Sequence, residues 1–151
     1  MPVLLSIFGV LAAAAFWYYR MQATSRLTDE SVRAIQDPAV AAAALLIALA
    51  SRPGPMGPAA QSAIRNEMRD VMAVPKVEEA FKFARRVADH VKDPSDLVWR
   101  FSRLWMDRLK PFERAELYEM AARVAEAYGG PTAEQAGCLR LLSERLGLTR
   151  P

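Results

Sequence analysis

The sequence predicts an all-α protein: a single N-terminal transmembrane helix, then a bundle of five to six helices. Three observations carry this. Pro2 to Tyr19 contains no charged side chain. Beyond it, apolar residues recur at three- and four-residue steps between Pro and Gly breaks, the period of a half-buried helix. No stretch alternates apolar and polar residues with β-branched enrichment, so no sheet is expected. Residues 1–20 read as the anchor, 21–37 as a linker with a short helix, and 38–149 as the helical domain.

The anchor comes first. Pro2 to Tyr19 would rise about 27 Å as a helix, close to a bilayer core of about 30 Å. Trp17, Tyr18 and Tyr19 close the run, and Arg20 follows. Aromatic rings at the interface with a cation beyond them mark the end of a spanning helix. Gly9, Ala12 and Ala13 are small enough to let a neighbouring helix approach. A cleaved signal peptide would need a positive leading region, and only the amine precedes this run. Arg20 and Arg26 follow the run, so the positive-inside rule places the domain in the cytoplasm, on a single-pass inner-membrane anchor.

Thr28 can cap a short helix, with Asp29 and Glu30 in its first turn. Asp37-Pro38 pairs an N-cap with a first-turn proline. Pro38 to Ala50 (PAVAAAALLIALA) is uncharged throughout, too short to span a bilayer and suited to a helix enclosed by others. The RPGPMGP stretch from Arg52 must turn. A helix then restarts near Pro58 with Ile64, Met68, Val71 and Met72 inward, and Pro75 breaks it. Val77, Ala80, Phe81, Ala84, Val87, Ala88 and Val91 stripe the next helix, and Asp93-Pro94 reads as the turn that ends it. Asp96 to Leu109 repeats the pattern through Leu97, Val98, Phe101, Leu104, Trp105 and Leu109. Pro111 opens another helix, with Leu117, Met120, Ala121 and Val124 inward. Gly129-Gly130-Pro131 stops it, Thr132 caps the last helix, and Gly147 closes that one. Its apolar stripe is Cys138, Leu139, Leu141, Leu142 and Leu146. An Ala-rich helix, a Gly/Pro turn and a helix occur at 38–72 and again at 112–146. This echo suggests either related hairpins about a pseudo-twofold or simply two helical hairpins.

Composition excludes several chemistries. The 151 residues are 52% hydrophobic and 25% charged, which suits one folded domain and not a disordered chain. Twenty Lys and Arg against seventeen Asp and Glu leave +3, too little to imply nucleic acid. One Cys rules out an internal disulfide, and one His rules out a His-based metal cluster. No GxxxxGK[ST], GxGxxG, HExxH or GxSxG string occurs. No enzyme activity, metal or cofactor is expected.

The stretch ERAELYEMAARVAEAYGGPTAEQAGCLRLLSERLGL, Glu113 to Leu148, resembles the C-terminal hairpin of TerB-like domains. That family includes tellurite-resistance proteins and the N-terminal domains of DjlA-type membrane co-chaperones. An Ala-rich helix, the turn Ala125 to Gly129 and the opening Thr132-Ala133-Glu134-Gln135 carry the resemblance. Ala41 to Gly54 and the following helix match more loosely. The resemblance implies a TerB-like helical bundle, a membrane setting and a role in stress response or co-chaperone docking in bacteria. Its departures are specific. Tyr128 stands where the family often has Asp, Pro53-Gly54 replaces Asp-Gly, and Ala60-Gln61 falls where a Glu is expected. Hard cations want clustered carboxylates, and Glu134 with Glu126 is too few. His90-Val91-Lys92 lacks the Pro-Asp of a J-domain.

The remaining candidates are surfaces. His90 near a helix C-terminus and Cys138 on an apolar stripe both read as structural. Glu78, Glu79, Glu113 and Glu116 sit in or near first helical turns, where the helix dipole accounts for them. Trp99 and Phe83 fall off their stripes and, with Tyr118, are candidates for a partner surface. Arg20, Arg85, Arg86, Arg100 and Arg103 are candidates for contact with anionic headgroups, with solvated helix faces the plain alternative. The expected function is a membrane-anchored, non-enzymatic interaction module whose partners are membrane lipid and a protein, with no nucleic acid. The alternatives are an accessory subunit of a larger membrane complex and, after it, a metal-binding stress protein.

Overall fold

The computed structural model describes residues 31, 32, 34–52, 54–127 and 130–148. The chain divides into two compact units, 1–32 and 33–151. The anticipated anchor, with Gly9, Ala12, Ala13, Trp17, Tyr18, Tyr19 and Arg20, lies outside the described residues, as do Thr28, Pro53, Tyr128 and Gly129. Among the described residues no helix is long and apolar enough to cross a membrane. The second unit is all-helical. Its helices are α1 (Pro38–Ala50), α2 (Pro58–Asp70), α3 (Val77–His90), α4 (Pro94–Arg108), α5 (Pro111–Glu126) and α6 (Ala133–Arg145).

Helix α1 is the centre. The Asp37 carboxylate accepts from the Ala39 N–H at 2.9 Å and starts it. Every residue from Ala41 to Leu49 is buried. A helix with no polar face has to be covered all round, and α2, α3, α4 and α5 all pack on it. The small Ala41, Ala42, Ala43, Ala44 and Ala48 leave room for that many neighbours. Helix α6 packs against α4 and α5.

Both ends of α1 are tied by buried side chains from far along the chain. The Trp105 indole N–H donates to the Pro38 carbonyl at 3.1 Å. At the other end the Gln135 amide donates to the carbonyls of Leu49 at 2.9 Å and Arg52 at 3.3 Å. Leu49 is among the last residues of α1, whose carbonyls lack intrahelical partners. The same Gln135 accepts from the Thr132 N–H at 2.8 Å while Thr132 Oγ1 accepts from the Gln135 N–H at 3.2 Å, a capping box that starts α6. Gly147 adopts φ +69, and the Leu148 N–H reaches back to the Ser143 carbonyl at 2.9 Å, closing α6 in a Schellman motif.

Two expectations are corrected. Asp93-Pro94 opens α4 and is not merely a turn. Its carboxylate accepts from the Ser95 N–H at 2.9 Å, the same device as Asp37-Pro38, so the helix starts at Pro94 and not at Asp96. Val71 is not inward but 44% exposed. Helix α2 ends at Asp70, before the proline requires it, and Ala73 turns the chain with φ 53. The echoed hairpins also differ in burial. Helix α1 is enclosed on all sides, whereas α5 buries only Leu117, Met120, Ala121 and Ala125. A twofold would have made α1 and α5 alike.

Enlarging α1 tests its enclosure. Ala44 is fully buried. Ala44→Leu is expected to lower unfolding free energy by about 1–3 kcal/mol in urea titration, the cost of overpacking a filled core. Ala59→Leu on the exposed face of α2 should stay within about 0.5 kcal/mol of the parent.

Candidate functional site

The groups that could perform chemistry are dispersed and engaged. Among the described residues no cluster of three or more His, Cys, Asp or Glu side chains could hold a metal ion. Glu78 pairs with Arg65 at 3.1 Å. Glu113 Oε1 accepts from the Lys110 N–H at 2.9 Å. Glu134 faces the cation of Arg52 at 3.7 Å. Arg52 also donates to the Lys92 carbonyl. His90 is exposed at the end of α3. Cys138 is fully buried. Burial pushes its thiol from 9.0 up to about 12, the carboxylates of Asp93 and Glu134 reinforce the shift, and a hydrogen bond with Ser95 opposes it.

The surfaces are better organised. Trp99, Arg103 and Met106 follow one another at i, i+4 and i+7 on α4, so they share one outward face. Trp99 is 55% exposed. The Arg145 guanidinium from α6 lies 3.7 Å over its ring centroid, a cation–π contact that fixes the indole while leaving its remainder in solvent. Arg103 is almost wholly exposed, and its pairing with Asp107 at 3.9 Å is loose. Arg100 sits further round the helix and is half-buried.

The structure therefore brings together Trp99 and Arg103 and separates them from the other candidates. Phe83 is half-buried on α3 with the Arg86 guanidinium 5.7 Å from its ring centroid. Tyr118 is half-buried on α5, and Arg85 is exposed on α3. Among the described residues no ring contact joins Phe83, Trp99 and Tyr118. Sequence reasoning missed three exposed apolar side chains: Met106, Phe112 and Val71. The first was detectable, because it stands seven residues from Trp99. Phe112, the most exposed at 62%, follows Pro111 in the first turn of α5.

A groove forms a second feature. Helices α2 and α5 both pack on α1 but are not closely packed on one another. Near them lie three clefts: the central one, walled by both helices, shares Ala60 and Val124 with the first and Met120 with the second, whose wall has no α2 residue. The central cleft is about 210 Å³ and lies between Ala63 and Ile64 on one side and Met120 and Val124 on the other. One ion pair, Arg123 to Glu67 at 3.1 Å, bridges it. The clefts at the two ends are about 440 Å³ beside Leu49 and Arg52, and about 270 Å³ beside Pro38 and Ala42.

Compared with protein-family models, with curated proteins and with solved structures, the chain matches none.

The buried thiol generates a pH prediction. Below about pH 9 the thiol is protonated in both the folded and unfolded chain, so it does not affect stability. Between 9.0 and about 12 the unfolded chain loses this proton and the folded chain keeps it, so stability falls as pH rises. Iodoacetamide at pH 8 should leave Cys138 unmodified in the native protein and alkylate it in concentrated urea, read by intact mass.

Proposed function

We propose that this chain is a non-enzymatic helical interaction module, TerB-like in kind and without a J-domain, held at the cytoplasmic face of the inner membrane by residues 1–20. The observation that best supports the module is the outer face of α4. Trp and Arg are the residue types most enriched where binding energy concentrates. Here Trp99 is held by Arg145, so it loses little freedom on docking. Arg103 beside it supplies a cation to an acidic partner or to anionic headgroups. The absence of charge in Pro2–Tyr19, followed by Arg20, supports the tether. A tether raises local concentration at the membrane, so a modest contact face suffices.

The test is a mild-detergent pull-down of the tagged full-length chain from native membranes, with Trp99→Ala alongside. Trp99→Ala is expected to weaken capture of a stoichiometric partner by more than about thirtyfold, the effect of losing a central aromatic. Its unfolding free energy should fall by only about 0.5–1 kcal/mol, the loss of the Arg145 cation–π contact at a half-exposed ring. Capture unchanged by Trp99→Ala but abolished by Gly9→Leu with Ala13→Leu would replace this reading with an accessory subunit assembled through its anchor.

A further inference from the structure

We infer that one end of the helical domain rests on the bilayer, with Phe112 and Val71 entering the boundary between headgroups and acyl chains. This deepens the reading of residues 1–20 as a membrane anchor and rests on it. The surface is a different one from the outer face of α4.

Hydrogen bonds and a shared cleft define that end. The Trp105 indole and the Arg108 guanidinium reach the carbonyls of Pro38 and Gln36, which brings the end of α4 beside the start of α1. The cleft next to Pro38 is walled by Val71 and Met72, just past α2, and by Leu109 and Glu113 at the junction of α4 and α5. The chain therefore enters the domain, leaves α2 and passes from α4 to α5 at one end. The opposite end holds the last turn of α1, tied to Gln135 and, through Arg52, to Lys92.

The two ends differ in what they expose. Among the described residues the exposed large apolar side chains are Val71, Trp99, Met106 and Phe112. Val71, Met106 and Phe112 belong to the Pro38 end. None belongs to the opposite end, which exposes Gly54, Pro55, Gly57 and Pro131. Phe112 stands in the first turn of α5. Side chains lean toward the N-terminus of their helix, so an exposed ring there leans out past the end of the bundle.

Two observations select a bilayer as the occupant. Residues 21–37 join Arg20 to Pro38, so an anchor in the membrane delivers the chain to this end and concentrates it at the bilayer. The charge at this end is mixed: exposed Arg69, Lys76, Arg108 and Lys110 are matched by exposed Asp37, Asp70, Asp107 and Glu116. Such a balance does not select a partner of one sign. Zwitterionic headgroups accept both signs, and long cationic stems lie along apolar surface while their heads stay in water.

The experiment uses the full-length chain in phosphatidylcholine vesicles, with a nitrobenzoxadiazole label on Phe112→Cys, Val71→Cys or, at the opposite end, the exposed Ala59→Cys. The parent chain, treated with the same reagent, reports any labelling of the buried Cys138. Lipids carrying nitroxides at different acyl depths then quench whatever reaches them. The labels at 112 and 71 should lose emission, at a depth of about 5–10 Å into the headgroup–acyl boundary, the burial of an interfacial apolar face. The label at 59 should keep its emission. Phe112→Asp should reduce the quenching at 71 with an unchanged circular-dichroism melt. Full emission from 112 and 71, or equal quenching at all three positions, overturns the proposal. So does shielding of 112 and 71 from an aqueous quencher without loss to the nitroxides, since protein would then cover this end. Flotation with the vesicles after alkaline extraction separates the two readings. A chain that floats while 112 and 71 stay in water keeps its anchor and loses this contact, and a chain that does not float loses both.

Discussion

One helix without a polar face organises this domain. Helix α1 has nothing it can present to water between Ala41 and Leu49, so the fold is the solution to covering it. Alanine makes the solution possible. A wider helix could not be approached by four neighbours at normal interaxial distances of about 8–10 Å. The cover is then tied at both ends by hydrogen bonds that cost little side-chain freedom, from the rigid indole of Trp105 and from Gln135, which also starts α6. Losing the Gln135 amide would leave the buried Leu49 carbonyl with only the longer Arg52 N–H bond at 3.3 Å.

The groove and the α4 face are consequences of that cover. Helices α2 and α5 both pack on α1 and are not closely packed on one another, so a shallow cleft stays between them while their apolar stripes are buried. Helix α4 packs on α1 with one side, meets α6 with another, and keeps a third for solvent. That third side holds Trp99, Arg103 and Met106. A central helix enclosed by amphipathic ones leaves surfaces of both kinds.

Much of this was legible in the residues. Pro38, Pro58, Pro94 and Pro111 each stand at the first position of a helix, where a missing N–H costs nothing. The uniform apolar run of α1 announced a helix enclosed by others. Trp99 stood out because it breaks the stripe of α4, and Arg103 because it belongs to a basic concentration on the same helix. The failures have physical causes. Asp93-Pro94 can end one helix and open the next, and only the Ser95 N–H decides which. Val71 has the correct spacing for α2, but the helix stops one residue earlier. The groove was invisible because it depends on which pairs of helices do not pack, and no local pattern encodes an absent contact. Gln135 read only as part of a helix opening, since its partner carbonyls lie 86 and 83 residues earlier.

That separation has a consequence for how the chain is made. Gln135 joins Leu49 across 86 residues, and Trp105 joins Pro38 across 67. At about 5–20 residues per second, Leu49 waits about 4–17 seconds on the ribosome before its partner is synthesised. Until α5 is made, α1 is apolar and incompletely covered, the condition under which nascent chains aggregate. The domain therefore passes its most vulnerable moment during synthesis, and the Gln135 tie arrives only after the covering helices are in place.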